Sequence, residues 1–232
     1  MIVRGLLVCC AVALFVSAPT MAAQEWLDDM EAYRVGSYLG GQGGWEGWDG
    51  VSYMGAASVV SLRAHSPVAS FVTWESINVV HPFSGYTEGQ WTFSAWQYAE
   101  SDRIGDSWVN LLNTYDVGNH NWSTRLRFDP DLDVIESQSD GAQLPLILDE
   151  WVQLRVEIDL DANMQSVYYG DDLLTTKSWT EGETGGGALN IGGISFEACP
   201  YASMIWYDDI SLTPEPGTCL LLVLGAVALR RR

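Results

Sequence analysis

Positive charge is scarce in this chain: 11 Lys and Arg stand against 30 Asp and Glu among 232 residues, a net charge of −19. A polynucleotide partner needs Lys and Arg to meet its phosphates, so nucleic acid is excluded. The shortage is sharper between the ends. Arg4, Arg230, Arg231 and Arg232 lie in terminal segments, which leaves residues 24–213 with 29 acids, seven bases and a net of −22. Cysteine is short there too, since only Cys199 of four lies in that stretch, and no internal disulfide is possible. Beside Pro200 it reads as a small buried apolar residue. His65, His81 and His120 are scattered, without the paired spacing a zinc site requires. No Gly-x-Ser-x-Gly elbow occurs, and Gly40-Gly41-Gln42-Gly43-Gly44 lacks the Lys-Ser/Thr of a phosphate loop. Residues 24–213 also lack a long helical period, a Pro/Ser-rich linker and an internal repeat.

What is present is apolar and aromatic. Hydrophobic residues make up 47%, aromatics 12% and charged residues only 18%, enough for a large packed core and too little charge for disorder. Short runs rich in β-branched and aromatic residues recur at 58–63, 91–98, 108–115, 122–128, 151–160, 165–169, 188–196 and 205–212, separated by Gly, Asn and Asp. The clearest alternation puts Val152, Leu154, Val156, Ile158 and Leu160 on one face and Gln153, Arg155, Glu157 and Asp159 on the other. Asp161-Ala162-Asn163 and Gly170-Asp171-Asp172 then turn the chain. So many strands without a central helix predict one all-β domain over 24–213, folded as a two-sheet sandwich.

The ends read as addresses. Residues 1–23 form a secretory signal peptide: Arg4, an apolar block over 5–16, then Thr20-Met21-Ala22-Ala23 as cleavage site. Export requires a Sec translocon and a signal peptidase. At the other end come Pro214-Glu215-Pro216, an apolar helix over 218–229, and Arg230-Arg231-Arg232. Such a helix covers about 18 Å, short of the ~30 Å hydrocarbon core, and terminal arginines hold its end on the cytoplasmic side.

The order Pro-Glu-Pro, apolar helix, Arg cluster, chain end resembles the PEP-CTERM sorting signal of exported bacterial proteins. The resemblance covers 214–232 and implies recognition by an exosortase near Pro214-Glu215-Pro216. It further implies an inner-membrane intermediate and a destination in the cell envelope, at the surface or in an extracellular polysaccharide matrix. A second resemblance spans most of the body. Trp151-x-x-Leu-x-Val-x-Ile-Asp159, Val167-Tyr168-Tyr169-Gly170, the opening Asp28-Asp29-Met30-Glu31-Ala32-Tyr33 and the closing Trp206-Tyr207-Asp208-Asp209-Ile210-Ser211-Leu212 are similar to the concanavalin A-like, laminin-G-type jelly rolls. It implies a jelly-roll β-sandwich, a fold that serves many functions.

Three candidate sites follow. Strand alternation sets Glu157 and Asp159 on one face about 7 Å apart. They resemble the Glu-x-Asp-x-x-Glu strand of laminarinase-like glycoside hydrolases, which use paired carboxyls. The family's final glutamate is absent, and Asp161 opens a turn instead, so no catalytic residue is assigned. Related jelly rolls often hold a structural calcium where first and last strands meet, which implies Asp29 or Glu31 with Asp208 or Asp209 as ligands. Finally, the phases carrying Trp96 and Tyr98, Asn113 and Tyr115, and Arg125 and Arg127 would form an aromatic, hydrogen-bonding groove for polysaccharide if they shared one sheet face. Trp122, Leu126 and Phe128 are expected on the opposite, apolar face, and Trp45 and Trp48 are secondary ligand candidates. The expectation is a non-enzymatic sugar-binding surface protein. Its rivals are a structural or adhesive protein without a sugar site, and a glycosidase or lyase with convergent carboxyls near Glu157.

Overall fold

The computed structural model describes residues 24–50 and 57–215. The expected signal peptide over 1–23, Pro216, the apolar C-terminal segment and Arg230, Arg231 and Arg232 lie outside the described residues. Among the described residues no helix is long and apolar enough to cross a membrane.

Among the described residues fifteen strands follow one another, numbered in chain order. The first seven are β1 (Trp26–Asp28), β2 (Glu46–Gly47), β3 (Ser58–Val60), β4 (Ser70–Thr73), β5 (Asn78–Pro82), β6 (Gln90–Ala99) and β7 (Ser107–Asp116). Then come β8 (Asn119–Asp129), β9 (Val134–Ser137), β10 (Gln143–Pro145), β11 (Trp151–Asp159), β12 (Met164–Tyr169), β13 (Asp172–Ser178), β14 (Gly193–Ala198) and β15 (Ile205–Pro214). They form an eight-stranded sheet, ordered β13-β12-β11-β6-β15-β4-β3 with β1 added on β15, and a seven-stranded sheet, ordered β10-β9-β8-β7-β14-β5-β2. Every pairing is antiparallel. This is the two-sheet jelly-roll sandwich that the alternating runs predict.

The core lies between the sheets. From β11 come Val152, Leu154, Val156 and Ile158, all buried, while Gln153, Arg155, Glu157 and Asp159 face away. The seven-stranded sheet answers with Val109, Leu111, Leu126, Phe128, Ile194 and Phe196. Rings concentrate at one place: Phe196 lies 5.0 Å from Phe71 and 4.5 Å from Tyr207, and Trp45 packs 5.7 Å from Phe71. Burying each such ring is worth about 1.5–3 kcal/mol. Trp45, a secondary ligand candidate from the sequence, is therefore core, at 1% exposure. Its indole N–H donates to Asp28 at 2.8 Å, which ties the loop before β2 to the end of β1.

A polar link crosses the middle of the interior. Gln165 of β12 donates to the carbonyls of Ser123 and Ser178, at 2.8 and 3.3 Å, and its Oε1 accepts from the Thr124 hydroxyl of the opposite sheet.

Candidate functional site

The six residues grouped as one groove do not share a sheet. Trp96 and Tyr98 lie on β6, in the eight-stranded sheet, whereas Asn113, Tyr115, Arg125 and Arg127 belong to β7 and β8, in the other. Each sheet turns its inner face to the core, so the two groups look out on opposite sides of the sandwich. Sequence alternation reports which face of a strand a residue occupies, but not which sheet the strand joins.

On the eight-stranded side the aromatics are already covered. His65 stacks on Trp96 with ring centroids 3.9 Å apart, and the Arg63 guanidinium sits 4.2 Å above Tyr98. Asn113, on β7, is fully buried and structural. Its amide donates to Asn121 Oδ1 at 3.0 Å and to the Gly186 carbonyl at 3.1 Å. Gly187 lets the chain pass over it: φ is +86°, and an added Cβ would meet Asn113 Oδ1 at 2.0 Å. Tyr115 is a clamp. Its hydroxyl donates to Glu46 at 3.0 Å and accepts from the Asp49 N–H at 3.1 Å, and burial with that carboxylate pushes the phenol's pKa up. Arg127 is held by Asp106 and Asp129, at 2.9 and 3.0 Å.

The rest of the seven-stranded sheet's outer face is built from other residues. Because Val109, Leu111, Leu126, Phe128, Ile194 and Phe196 point inward, Trp108, Asn110, Arg125, Ser195 and Glu197 point away from the core. The register sets them in rows, Arg127–Trp108–Glu197 and Arg125–Asn110–Ser195. Trp122 joins them through a bulge. Leu111 pairs with Thr124 and Leu112 with Trp122, so Ser123 is an extra residue on β8. One extra residue reverses the alternation beyond it. Trp122 thus leaves the inward set of Leu126 and Phe128, correcting the expectation that it shares their apolar face. There it stacks against Trp48, centroids 6.0 Å apart and planes 7° from parallel.

Two loops wall this surface. The turn after β2 is pinned by Asp49, which accepts from the Gly118 N–H at 3.0 Å and faces His120 Nε2 at 2.6 Å; these contacts lower the Asp49 pKa. The loop over 181–187 is pinned by Glu183 to Arg125, at 3.1 Å, and by the Asn121 amide to Gly185 O, at 2.9 Å. Arg125 lies 5.4 Å from the Trp108 ring and 5.9 Å from that of Trp122. Beneath it, Asn110 Oδ1, Trp108 Nε1 and Arg125 Nε are buried with no hydrogen-bond partner among the described residues. Unpaired buried polar atoms are uncommon and costly. Trp48 was a secondary candidate from sequence; Trp108, Asn110 and the outward Trp122 were missed, and the last needed knowledge of the bulge.

The carboxylates of β11 meet a different feature. Glu157 and Asp159 line a cleft of about 360 Å³ together with Gln90, Met164, Ser166 and Glu215. Glu157 is bonded to Arg155, while Asp159 accepts from the Gln90 amide at 2.7 Å and from the Ala162 N–H at 2.8 Å. Asp161 turns to the loop before β6, where it accepts from the Gly89 N–H at 2.9 Å. Glu215 continues β15 onto β6: its N–H donates to Gln90 O at 2.9 Å, and its carboxylate accepts from Thr92.

The Asp29 carbonyl and the carboxylates of Glu31 and Asp208 do gather, but around the Ser66 hydroxyl, and Asp209 turns to His65 instead. The Ser66 oxygen lies 3.3 Å from Asp29 O and 3.4 Å from both Glu31 Oε1 and Asp208 Oδ1. Glu31 accepts from the Val68 and Ala69 N–H groups, each at 2.9 Å, and these bonds lower its pKa. Asp208 accepts from the N–H groups of His65 at 2.7 Å, Ser66 at 3.0 Å and Asp209 at 2.8 Å. Asp209 faces His65 Nδ1 at 2.6 Å, and Asp29 accepts from the Glu31 N–H at 3.2 Å. Calcium requires oxygen lone pairs free and aimed at one point. Here they are aimed at backbone amides, and no group of three or more His, Cys, Asp or Glu suited to a metal occurs among the described residues. The donor set fits a clasp on the loop before β4 and does not fit a calcium ion.

No protein-family model matches the chain, and no curated protein sequence does. Among solved structures it is similar to the T. cruzi calreticulin globular domain, with a TM-score of 0.55 and 10% identity over 81% of this chain and 90% of that one. It is also similar to a sialidase, with a TM-score of 0.52 and 11% identity, covering 75% of this chain but only 17% of the sialidase. At such identities the likeness is one of fold: a two-sheet antiparallel β-sandwich.

Proposed function

We propose that the chain is an exported protein of the bacterial cell envelope or matrix that binds polysaccharide without cleaving it, through the outer face of the seven-stranded sheet. The observation that carries this reading is the Trp48–Trp122 pair beside the unpaired Asn110 Oδ1 and Trp108 Nε1. Flat aromatic faces suit the apolar side of a pyranose ring, and a hydroxyl-rich ligand brings donors and acceptors to orphaned polar groups. The export signal over 1–23 and the PEP-CTERM-like segment over 214–232 support delivery by the Sec route and handling by an exosortase-type enzyme. Replacing Pro214-Glu215-Pro216 by alanines then leaves the protein at the inner membrane, read by fractionation; unchanged release refutes the sorting assignment.

Binding is tested by a glycan array and pull-down on insoluble polysaccharides with the purified chain. Trp48→Ala and Trp122→Ala each weaken it about tenfold, equivalent to ~1.4 kcal/mol, while Trp96→Ala on the opposite face leaves it unchanged. No retention on any glycan by the folded protein favours a structural or adhesive role.

A second reading, glycoside hydrolysis, is favoured by one observation: Glu157, Asp159 and Glu215 line a common cleft. Paired carboxyls across a scissile bond are what that chemistry requires. Reducing-sugar release that Glu157→Gln abolishes would establish it.

A further inference from the structure

The face that carries Trp48 and Trp122 holds more acid than base. Arg125 is shared by two carboxylates, Glu183 at 3.1 Å and Glu197 at 3.7 Å. Arg127 lies against Asp106 and Asp129, and the buried Arg103 answers the same pair. Two more acids stand along the wall after β2: Glu46 accepts from the Tyr115 hydroxyl, and Asp49 faces His120. Once Arg127 and Arg103 are set against Asp106 and Asp129, the acids left are Glu46, Asp49, Glu183 and Glu197. Arg125 and His120 are the bases that face them, so the local charge stays negative even when His120 is protonated.

Glu197 is the carboxylate held most loosely. Its Oε2 lies 3.4 Å from the Asn110 amide nitrogen and 3.7 Å from Arg125, both long contacts, and 30% of its side chain is exposed. Acceptors without donors flank it. Asn78 lies directly opposite on β5, and the buried Asn110 stands on the neighbouring row of β7; Oδ1 of each has no partner among the described residues. The Arg125 guanidinium, 5.9 Å from the Trp122 ring and 5.4 Å from that of Trp108, sets Glu197 and Glu183 beside the aromatic surface. A group that suits a loosely held carboxylate among bare amide oxygens is a cation with several N–H donors. A uronate or sulfate group meets the reverse: acids in excess, and arginines already paired.

We propose that the glycan taken by this face is a de-N-acetylated amino sugar polymer, laid against Trp48 and Trp122 with an ammonium group at Glu197. The assignment rests on the sugar-binding reading of the same face and adds to it the chemical class of the glycan. The rings supply affinity that any pyranose can use, and the charge selects among them. Acidic polysaccharides are turned away by the same carboxylates that draw the amine.

The test is calorimetric titration of the purified chain with a β-linked glucosamine oligomer, its N-acetylated counterpart of equal length and an oligogalacturonate. At low salt the glucosamine oligomer should bind about fivefold more tightly than the N-acetylated one, the size of an exposed ion pair. Raising the salt should shrink that advantage, and the uronate should not bind. Glu197→Gln should bring the two affinities together, and Trp122→Ala should weaken both. Any polycation is drawn to a body of net charge −22, so an oligolysine of equal charge is the control, and it should fail to displace the glucosamine oligomer. Displacement by oligolysine, a preference that Glu197→Gln leaves intact, or equal or tighter binding of the N-acetylated oligomer or the uronate overturns the amine assignment alone. Binding of none of the three overturns it too, and the sugar-binding reading falls with it only if no other glycan is retained.

Discussion

Asp208 offers a sharp test of the electrostatics. Its carboxylate is fully buried, and it accepts three backbone N–H groups while sitting beside the like-charged Asp209. Burial dominates, and the pKa rises from 3.8 to about 6. The folded state thus holds this proton more tightly than the unfolded chain does. The group's contribution is fully present below pH 4 and is lost as pH rises through about 6. The shift corresponds to ~3 kcal/mol at about 1.4 kcal/mol per pKa unit. Asp208→Asn keeps the shape and one carbonyl acceptor but cannot titrate. Glu31, Asp49, Asp140 and Asp149, whose pKa values are lowered, act in the opposite direction in both proteins, so the difference between them isolates Asp208. Urea unfolding, followed by tryptophan fluorescence from pH 4 to 7.5, should show the variant gaining ~3 kcal/mol relative to the wild type as pH rises. With a urea slope of about 2 kcal/mol per M, that is a relative midpoint shift of about 1.5 M. Parallel midpoint curves would refute the argument that burial outweighs the three amide bonds.

Two further perturbations probe the walls and the interior. An added Cβ at Gly182 would lie 1.8 Å from the Trp122 carbonyl oxygen, so Gly182→Ala should lower stability by about 1–3 kcal/mol, seen as a drop in Tm, and weaken glycan retention by displacing the 181–187 loop. Gln165→Leu leaves the buried Ser123 carbonyl and Thr124 hydroxyl without their inter-sheet partner. A loss of roughly 1–3 kcal/mol in urea unfolding is expected, with glycan retention unchanged.

The body of the fold was legible where alternation is local. The 151–160 run became β11 with the expected residues inside and outside, because one face meets the core and the other meets water. β4, Ser70–Thr73, escaped notice because all four of its residues are buried, which erases the period of two. The candidate groove failed for a different reason. Trp96 and Trp122 sit on strands with similar patterns, yet β6 pairs with β11 and β15 while β8 pairs with β7 and β9. The partnerships of β8 are local hairpins, but those of β6 are long-range, and it is these that put the two strands in different sheets. Trp45 likewise reads as a loop residue until Phe71 and Phe196 arrive from distant strands. The meeting of Asp29 and Glu31 with Asp208 was foreseeable from the resemblance. The role of Ser66 was not, because its loop carries no signal that it would occupy their centre.

The pairing of β1 with β15 sets how the domain bears load. Trp26 lies opposite Leu212, so the two ends of the described body leave the sandwich at the same pole. Tension applied between them peels β1 from β15 one bond at a time, starting at Trp26, and meets little resistance. Tension between the C-terminal end and the opposite pole of the sandwich acts along β15 instead. That strand is flanked by β6 on one side and by β4 and β1 on the other, so its bonds share the force in shear. A pull along β15 therefore loads the domain in its mechanically stronger direction, and a pull between its two ends in the weaker one.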